Sequence, residues 1–107
     1  MSNTLPEPVA RLIAAANAGD TEAFLATFAA DGSVNDWGRT FTGHDAIRAW
    51  SDSEFIGVGV TLEVTAEITT REHTTITATV GGQGFNGQSH FSFTVSDGLV
   101  ADMAITA

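Results

Sequence analysis

Residues Asn17 to Trp50 read NAGDTEAFLATFAADGSVNDWGRTFTGHDAIRAW, and this stretch decides the fold. Gly19 is placed to stop a preceding helix, because glycine takes a left-handed position at low cost. Asp20 is placed to cap the next one: its carboxylate can accept from first-turn amides, and Glu22 adds a favourable charge there. Phe24, Leu25 and Phe28 form the apolar face of this second helix, which Asp31-Gly32 ends in a turn. Ser33 to Trp37 reads as a short strand, with Val34 and Asp36 on one face and Asn35 and Trp37 on the other. Gly38 to Gly43 reads as a loop carrying Arg39 and Phe41. His44 to about Asp52 reads as a third helix, in which Ala46, Ile47 and Trp50 share a face through i+3 and i+4 spacings.

Upstream, residues 1–3 are expected to fray. Thr4 is placed as an N-cap with Glu7 completing a capping box. Val9, Leu12, Ile13 and Ala16 recur at helical spacing and give the first helix one apolar stripe. Downstream of Ser53 the period changes from helical to two. Phe55 to Thr70 alternates: Val58, Val60, Leu62, Val64, Ala66 and Ile68 take one face, and threonines and glutamates take the other. Thr74 to Val80 alternates again after a polar Arg71-Glu72-His73 connection. GGQGFNG reads as a wide glycine-rich turn, because it lacks the spacing of a phosphate-binding loop and no helix follows it. Phe91, Phe93 and Val95 mark the next strand. Ser96-Asp97-Gly98 signals a hairpin, and Leu99, Ala101, Met103 and Ile105 mark the last strand. Helices early and strands late indicate an α+β domain in which one sheet curls around the helices.

A chain of 107 residues fits a single domain, spanning residues 1–107, with one small core. Its net charge of -9, with four scattered arginines and no lysine, disfavours nucleic acid and anionic membrane surfaces as partners. Cysteine is absent, which excludes thiolate catalysis and zinc-thiolate sites. No apolar run approaches the roughly 18 residues of a membrane span, and the N-terminal MSNTLPEPVA lacks a signal-peptide pattern. A cytoplasmic protein is the expectation.

Asp36 is the leading site candidate. It shares the parity of the core-facing Val34, where partial desolvation would raise its pKa toward a general-base range. The competing reading is an aspartate that caps a turn at a strand end. Trp37 and Phe41 are placed to shelter the mouth of a pocket. His44 and His73 read as surface residues, and His90 as outward-facing. The three histidines have no metal-ligand spacing, so no metal or cofactor is expected. Asp102 has the opposite parity to Met103 and is expected to face away from the core.

The segments NAGDTEAFLATFAADGSVNDWG, FTGHDAIRAW and FSFTVSDGLVADMAI together resemble the NTF2-like superfamily, in its SnoaL-like and ketosteroid-isomerase-like branch. The resemblance covers about residues 9 to 105. It implies an α+β cone: a strongly curved mixed or antiparallel sheet wrapped around three helices of the N-terminal half. It places Asp36 at the family's general-base aspartate. The oxyanion-hole tyrosine of that family falls on Leu12, in a chain without tyrosine, and its protonated aspartate falls on Phe91. An isomerase built here would lack the donors that stabilise a developing enolate. The epoxide-hydrolase branch implies an arginine on the late strands, and none follows Arg71. The cyclase branch places an acid/base aspartate late in the sheet, for which Asp102 is the positional candidate.

The expected cavity is lined by Leu12, Ile13, Phe28, Val34 and Trp50 from the first half of the chain, and by Phe91 and Phe93 from the second. It would suit a small apolar molecule with one polar group, anchored on Asp36. The alternatives are an isomerase or lyase-like enzyme with Asp36 as general base, and a non-catalytic dimeric interaction module. The resemblance also implies a homodimer, because members of that superfamily often dimerise, and the threonine-rich outer sheet face offers a broad surface for it.

Overall fold

The computed structural model describes residues 5–106; the expected cap at Thr4 and the fraying of residues 1–3 lie outside them. Three helices pack on one face of a six-stranded sheet. Helix α1 spans Glu7–Ala18 and begins after Pro6, which supplies no side-chain cap. It ends at Gly19, whose φ of 71° is left-handed. Helix α2 spans Thr21–Ala26, and the Asp20 carboxylate accepts from the Ala23 amide as its cap. Helix α3 spans His44–Glu54. Strands β1 (Phe28–Asp36), β2 (Arg39–Thr42), β3 (Thr61–Thr70), β4 (His73–Gly81), β5 (Gly87–Ser96) and β6 (Leu99–Thr106) form the sheet. Their spatial order is β2-β1-β6-β5-β4-β3, and the sheet is mixed because β1 runs parallel to β6.

The second helix stops earlier than its apolar spacing predicts, and Phe28 begins β1 instead. The Val100 amide donates to the Thr27 carbonyl, which draws the chain into the sheet at that point. Phe28 pairs with Val100 and Ser33 with Asp102, so β1 takes five steps where β6 takes two. The extra residues form a bulge closed by Gly32. A Cβ there would lie 3.0 Å from the Ala29 carbonyl oxygen and 3.1 Å from that of Val100.

The segment expected to be a loop contains β2. Trp37 (φ 54°) and Gly38 (φ 92°) form the two-residue turn that folds it back on β1, pairing Asp36 with Arg39. Two successive positive φ values match the twist of a hairpin, but tryptophan is not the residue that signals such a turn.

The long alternating stretch divides. Phe55 ends α3, Ile56–Val58 form a single 3₁₀ turn, and only then does β3 begin. Gly57 packs so closely on Asp52 that a Cβ would lie 1.6 Å from its carbonyl oxygen. Within β3 the register shifts between Val64 and Ala66. A bulge of one residue moves every later side chain to the opposite face. Val64 therefore pairs with buried Ala78, whereas Ile68 pairs with Thr75 on the outer face and is 71% exposed.

The core fills the concave side. Val9, Leu12, Phe24, Phe28, Ile47 and Phe93 are essentially inaccessible to solvent. Asn17, at the end of α1, closes one edge of the sheet. Its side-chain amide donates to the Leu62 carbonyl at 3.0 Å, and its oxygen accepts from the Leu62 amide at 2.6 Å. The side chain stands in for a neighbouring strand at the β3 edge.

Candidate functional site

Cross-strand pairing lines up Asp36, Ile105, Phe91 and Ile76 in one row across the concave face. At the Asp36 end, the core gives way to a cleft of about 390 Å³. The floor and walls combine Asp36, Ile105 and Phe91 of this row with Trp50 and Phe55 from the α3 end, with Val60 just before β3, and with Val80 from β4. Phe55 stacks on Trp50 at 4.8 Å between ring centroids. Trp37 and Phe85, both more than half exposed, stand at the rim on opposite hairpins.

Asp36 is held from two sides. Its Oδ2 accepts from Trp50 Nε1 at 3.0 Å and from Arg39 Nη2 at 2.7 Å. Its side chain is only 14% exposed. Arg39 continues the chain of charges: Nη2 lies 2.6 Å from Glu54 Oε1, and Nη1 donates to Glu54 Oε2 at 3.0 Å. This two-pronged pairing ties the β1–β2 hairpin to the end of α3. The hydrogen bond from Arg39 holds the Glu54 carboxyl below its ordinary range, and the same contact raises the guanidinium further. Ser89, nearly inaccessible to bulk solvent, lines the cleft.

Of the residues singled out from sequence, the cleft brings together Asp36, Trp37, Trp50 and Phe91. Leu12, Ile13, Phe28, Val34 and Phe93 lie in the closed core and do not line it. Phe41 packs on Trp50 at 6.1 Å from the far side, under the Arg39 guanidinium. Asp102 takes a hydrogen bond from Ser33 Oγ at 2.7 Å and does not reach the cleft. His44 Nε2 lies 3.1 Å from the Phe28 carbonyl, so this histidine is tied to the bulge and is half-buried. His90 and His73 pair with Thr77 and Thr94 along the sheet. Among the described residues no three His, Asp or Glu side chains converge as metal ligands.

Sequence reading missed Arg39, Glu54, Phe55, Phe85 and Ser89. Phe85 carried a signal, as the one apolar residue within a run of glycines. The GGQGFNG turn holds it in place: Asn86 donates to the Gly82 and Gly84 carbonyls, and the Gln83 amide donates to the Val58 carbonyl.

Residues 9–103 match the SnoaL-like domain family, and the chain belongs to it, within the NTF2-like superfamily. No curated protein matches the chain. Among solved structures it is similar to a candidate polyketide cyclase from Sinorhizobium meliloti, with 28% identity, a TM-score of 0.85 and 95% of both chains covered. A protein of ketosteroid isomerase-like fold from Catenulispora acidiphila, in complex with trimethylamine, is 25% identical. That match has a TM-score of 0.83 and covers 97% of this chain and 87% of the other. A computationally designed 17-OHP binder shares the fold at 20% identity and a TM-score of 0.78, covering 94% and 88% of the two chains. No helix among the described residues is long and apolar enough to cross a membrane.

Proposed function

We propose that this SnoaL-like domain binds a small, largely apolar molecule in the cleft, with Asp36 as its polar anchor. One observation carries the reading. A carboxylate that is mostly sequestered from solvent is fixed by an indole N–H at the edge of a cleft of about 390 Å³ whose walls are largely apolar and aromatic. That is the composition of a small-molecule site: apolar walls fill the ligand's surface and one polar group orients it. Burial of a carboxylate is costly unless it is paired, and Trp50 and Arg39 offset that cost while the ligand is absent. The test is a thermal-shift screen of small alcohols on the wild type and Asp36→Ala, with ketones and lactones, which offer Asp36 no donor, as controls. The reading expects stabilisation of the wild type that Asp36→Ala loses. Alcohols that stabilise both proteins equally count against Asp36 as anchor.

A second reading is favoured by the likeness to the candidate polyketide cyclase. Here Asp36 is a general base for an isomerase or lyase-like reaction, taking a proton from the bound substrate. The residue facing it across Ile105 is Phe91, which can donate no hydrogen bond to an oxyanion. Binding without turnover is therefore the primary reading, and turnover of a bound ketone or lactone would replace it. A homodimer through the outer sheet face belongs to the same proposal, supported by Ile68 standing exposed among threonines there. Sedimentation equilibrium at micromolar concentration checks it, and a monomer mass refutes it.

A further inference from the structure

We propose that the group the cleft accepts at Asp36 is a protonated amine, carried on a small apolar body. The inference rests on the small-molecule reading above and narrows the ligand class.

The sign of the site is the first argument. Asp36, Glu54 and Arg39 line the cleft, two carboxylates against one cation. Arg39 is already engaged: Nη2 reaches both Asp36 and Glu54, and Nη1 reaches Glu54. Trp50 Nε1–H is engaged by Asp36 as well. An anion entering the cleft meets net negative charge and must draw Arg39 away from two carboxylates. An ammonium ion meets the opposite situation. Both hydrogen bonds on Asp36 fall on Oδ2, and among the described residues none falls on Oδ1. That oxygen is the natural acceptor for an N–H.

Ser89 is the second feature. It is 1% exposed and lines the wall of the cleft. A hydroxyl oxygen has lone pairs that can accept from a second N–H of the same ammonium.

The walls supply the third. Trp50, Phe55 and Phe91 line the cleft, with Trp37 and Phe85 at the rim. A cation within about 6 Å of an aromatic ring centroid is attracted by the ring quadrupole. The chain already uses this contact at the rim, where the Arg39 guanidinium carbon lies 5.5 Å from the Phe41 centroid. The net charge of -9 also steers cations inward and slows anions.

Three ligands sharing one cyclohexyl body separate the possibilities: cyclohexylamine, cyclohexanol and cyclohexanecarboxylate. Each is titrated at neutral pH, where an aliphatic amine is protonated, with tryptophan fluorescence as readout. The amine is expected to bind about tenfold more tightly than the alcohol, and the carboxylate most weakly. Asp36→Asn should erase the amine's advantage and leave the alcohol's affinity within about threefold. Arg39→Gln should strengthen the amine, because the competing guanidinium is gone, and added salt should weaken it. Glu54→Gln, at the exposed rim, should weaken the amine by a smaller factor than Asp36→Asn. If the alcohol matches or exceeds the amine, or if Asp36→Asn keeps the preference, the amine inference falls and the small-molecule reading stands. If none of the three binds the folded wild type, both fall.

Discussion

Two rows of side chains cross the concave face of the sheet, two residues apart on each strand, and they end differently. Val34, Met103, Phe93 and Thr74 form one row, and all four are at most 1% exposed. Asp36, Ile105, Phe91 and Ile76 form the next, and at Asp36 it opens into the cleft. Backbone pairing is continuous through both. The contrast lies in what covers them. The closed row belongs to the continuous core that the helices contribute to through Val9, Leu12, Phe24 and Ile47. The open row meets the C-terminal end of α3, where Trp50 and Phe55 form a wall rather than a plug. A domain of this size can spare little packing, and the cleft occupies the place where helix cover runs out.

The comparison breaks first on truncation of its two phenylalanines. Phe93→Ala opens a new void in the closed row and should cost about 3–5 kcal/mol. Phe91→Ala merges with a cleft that already exists. It loses the transfer term but creates less new unfilled volume, so its cost should be smaller. Urea denaturation of the two variants checks the order. Equal losses, or a larger loss at Phe91, would mean that the cleft is not open in solution.

A middle-sized effect is expected at the sheet edge. Asn17→Ala strips the Leu62 amide and carbonyl of their partner, with an expected loss of about 1–3 kcal/mol. Hydrogen exchange should localise it: protection falls at Leu62 while Met103, in the closed row, is unchanged. A global loss of protection in both rows would show that Asn17 supports the whole fold and not one edge.

The closed row was largely legible in the sequence, and the open row was not. Val34, Met103 and Phe93 follow period-two alternation, and Leu12 and Ile47 follow helical periodicity, so pattern alone places them inside. The same logic put Ile68 inside and was wrong, because one extra residue at the Val64–Ala66 shift reverses the face of everything after it. No residue type marks that bulge. Phe28 suited a helix face by spacing, yet its backbone joins the sheet. Arg39 and Glu54 are fifteen residues apart, and only the unsignalled Trp37-Gly38 turn brings them together. Asp36 was singled out because parity and family resemblance agreed, and it lines the cleft. Its neighbours were missed because they come from a hairpin, a helix end and a glycine-rich turn, whose geometry periodicity does not encode.

The smallest effect tests how the rim is held. Packing holds the closed row, whereas the Arg39–Glu54 pair ties the hairpin to α3, and an exposed pair contributes modestly and is screened by salt. Its sign with pH is nonetheless fixed. Arg39 lowers the Glu54 carboxyl below the ordinary value of 4.5, so the folded state binds fewer protons than the unfolded chain in that range. The stabilisation is fully present above about 4.5 and is lost as pH falls through the lower folded value. The urea midpoints of wild type and Glu54→Gln should therefore differ slightly at neutral pH and converge in acid. Glu22→Gln serves as the control: Glu22 is lowered in the same way by Arg48, but that pair joins α2 to α3 away from the cleft. Both variants should show the same convergence, and only Glu54→Gln should also raise hydrogen exchange at the Trp37 and Gly38 amides. If Glu22→Gln loosens that hairpin equally, the rim is coupled to the helix layer as a whole, and the open and closed rows are one mechanical unit.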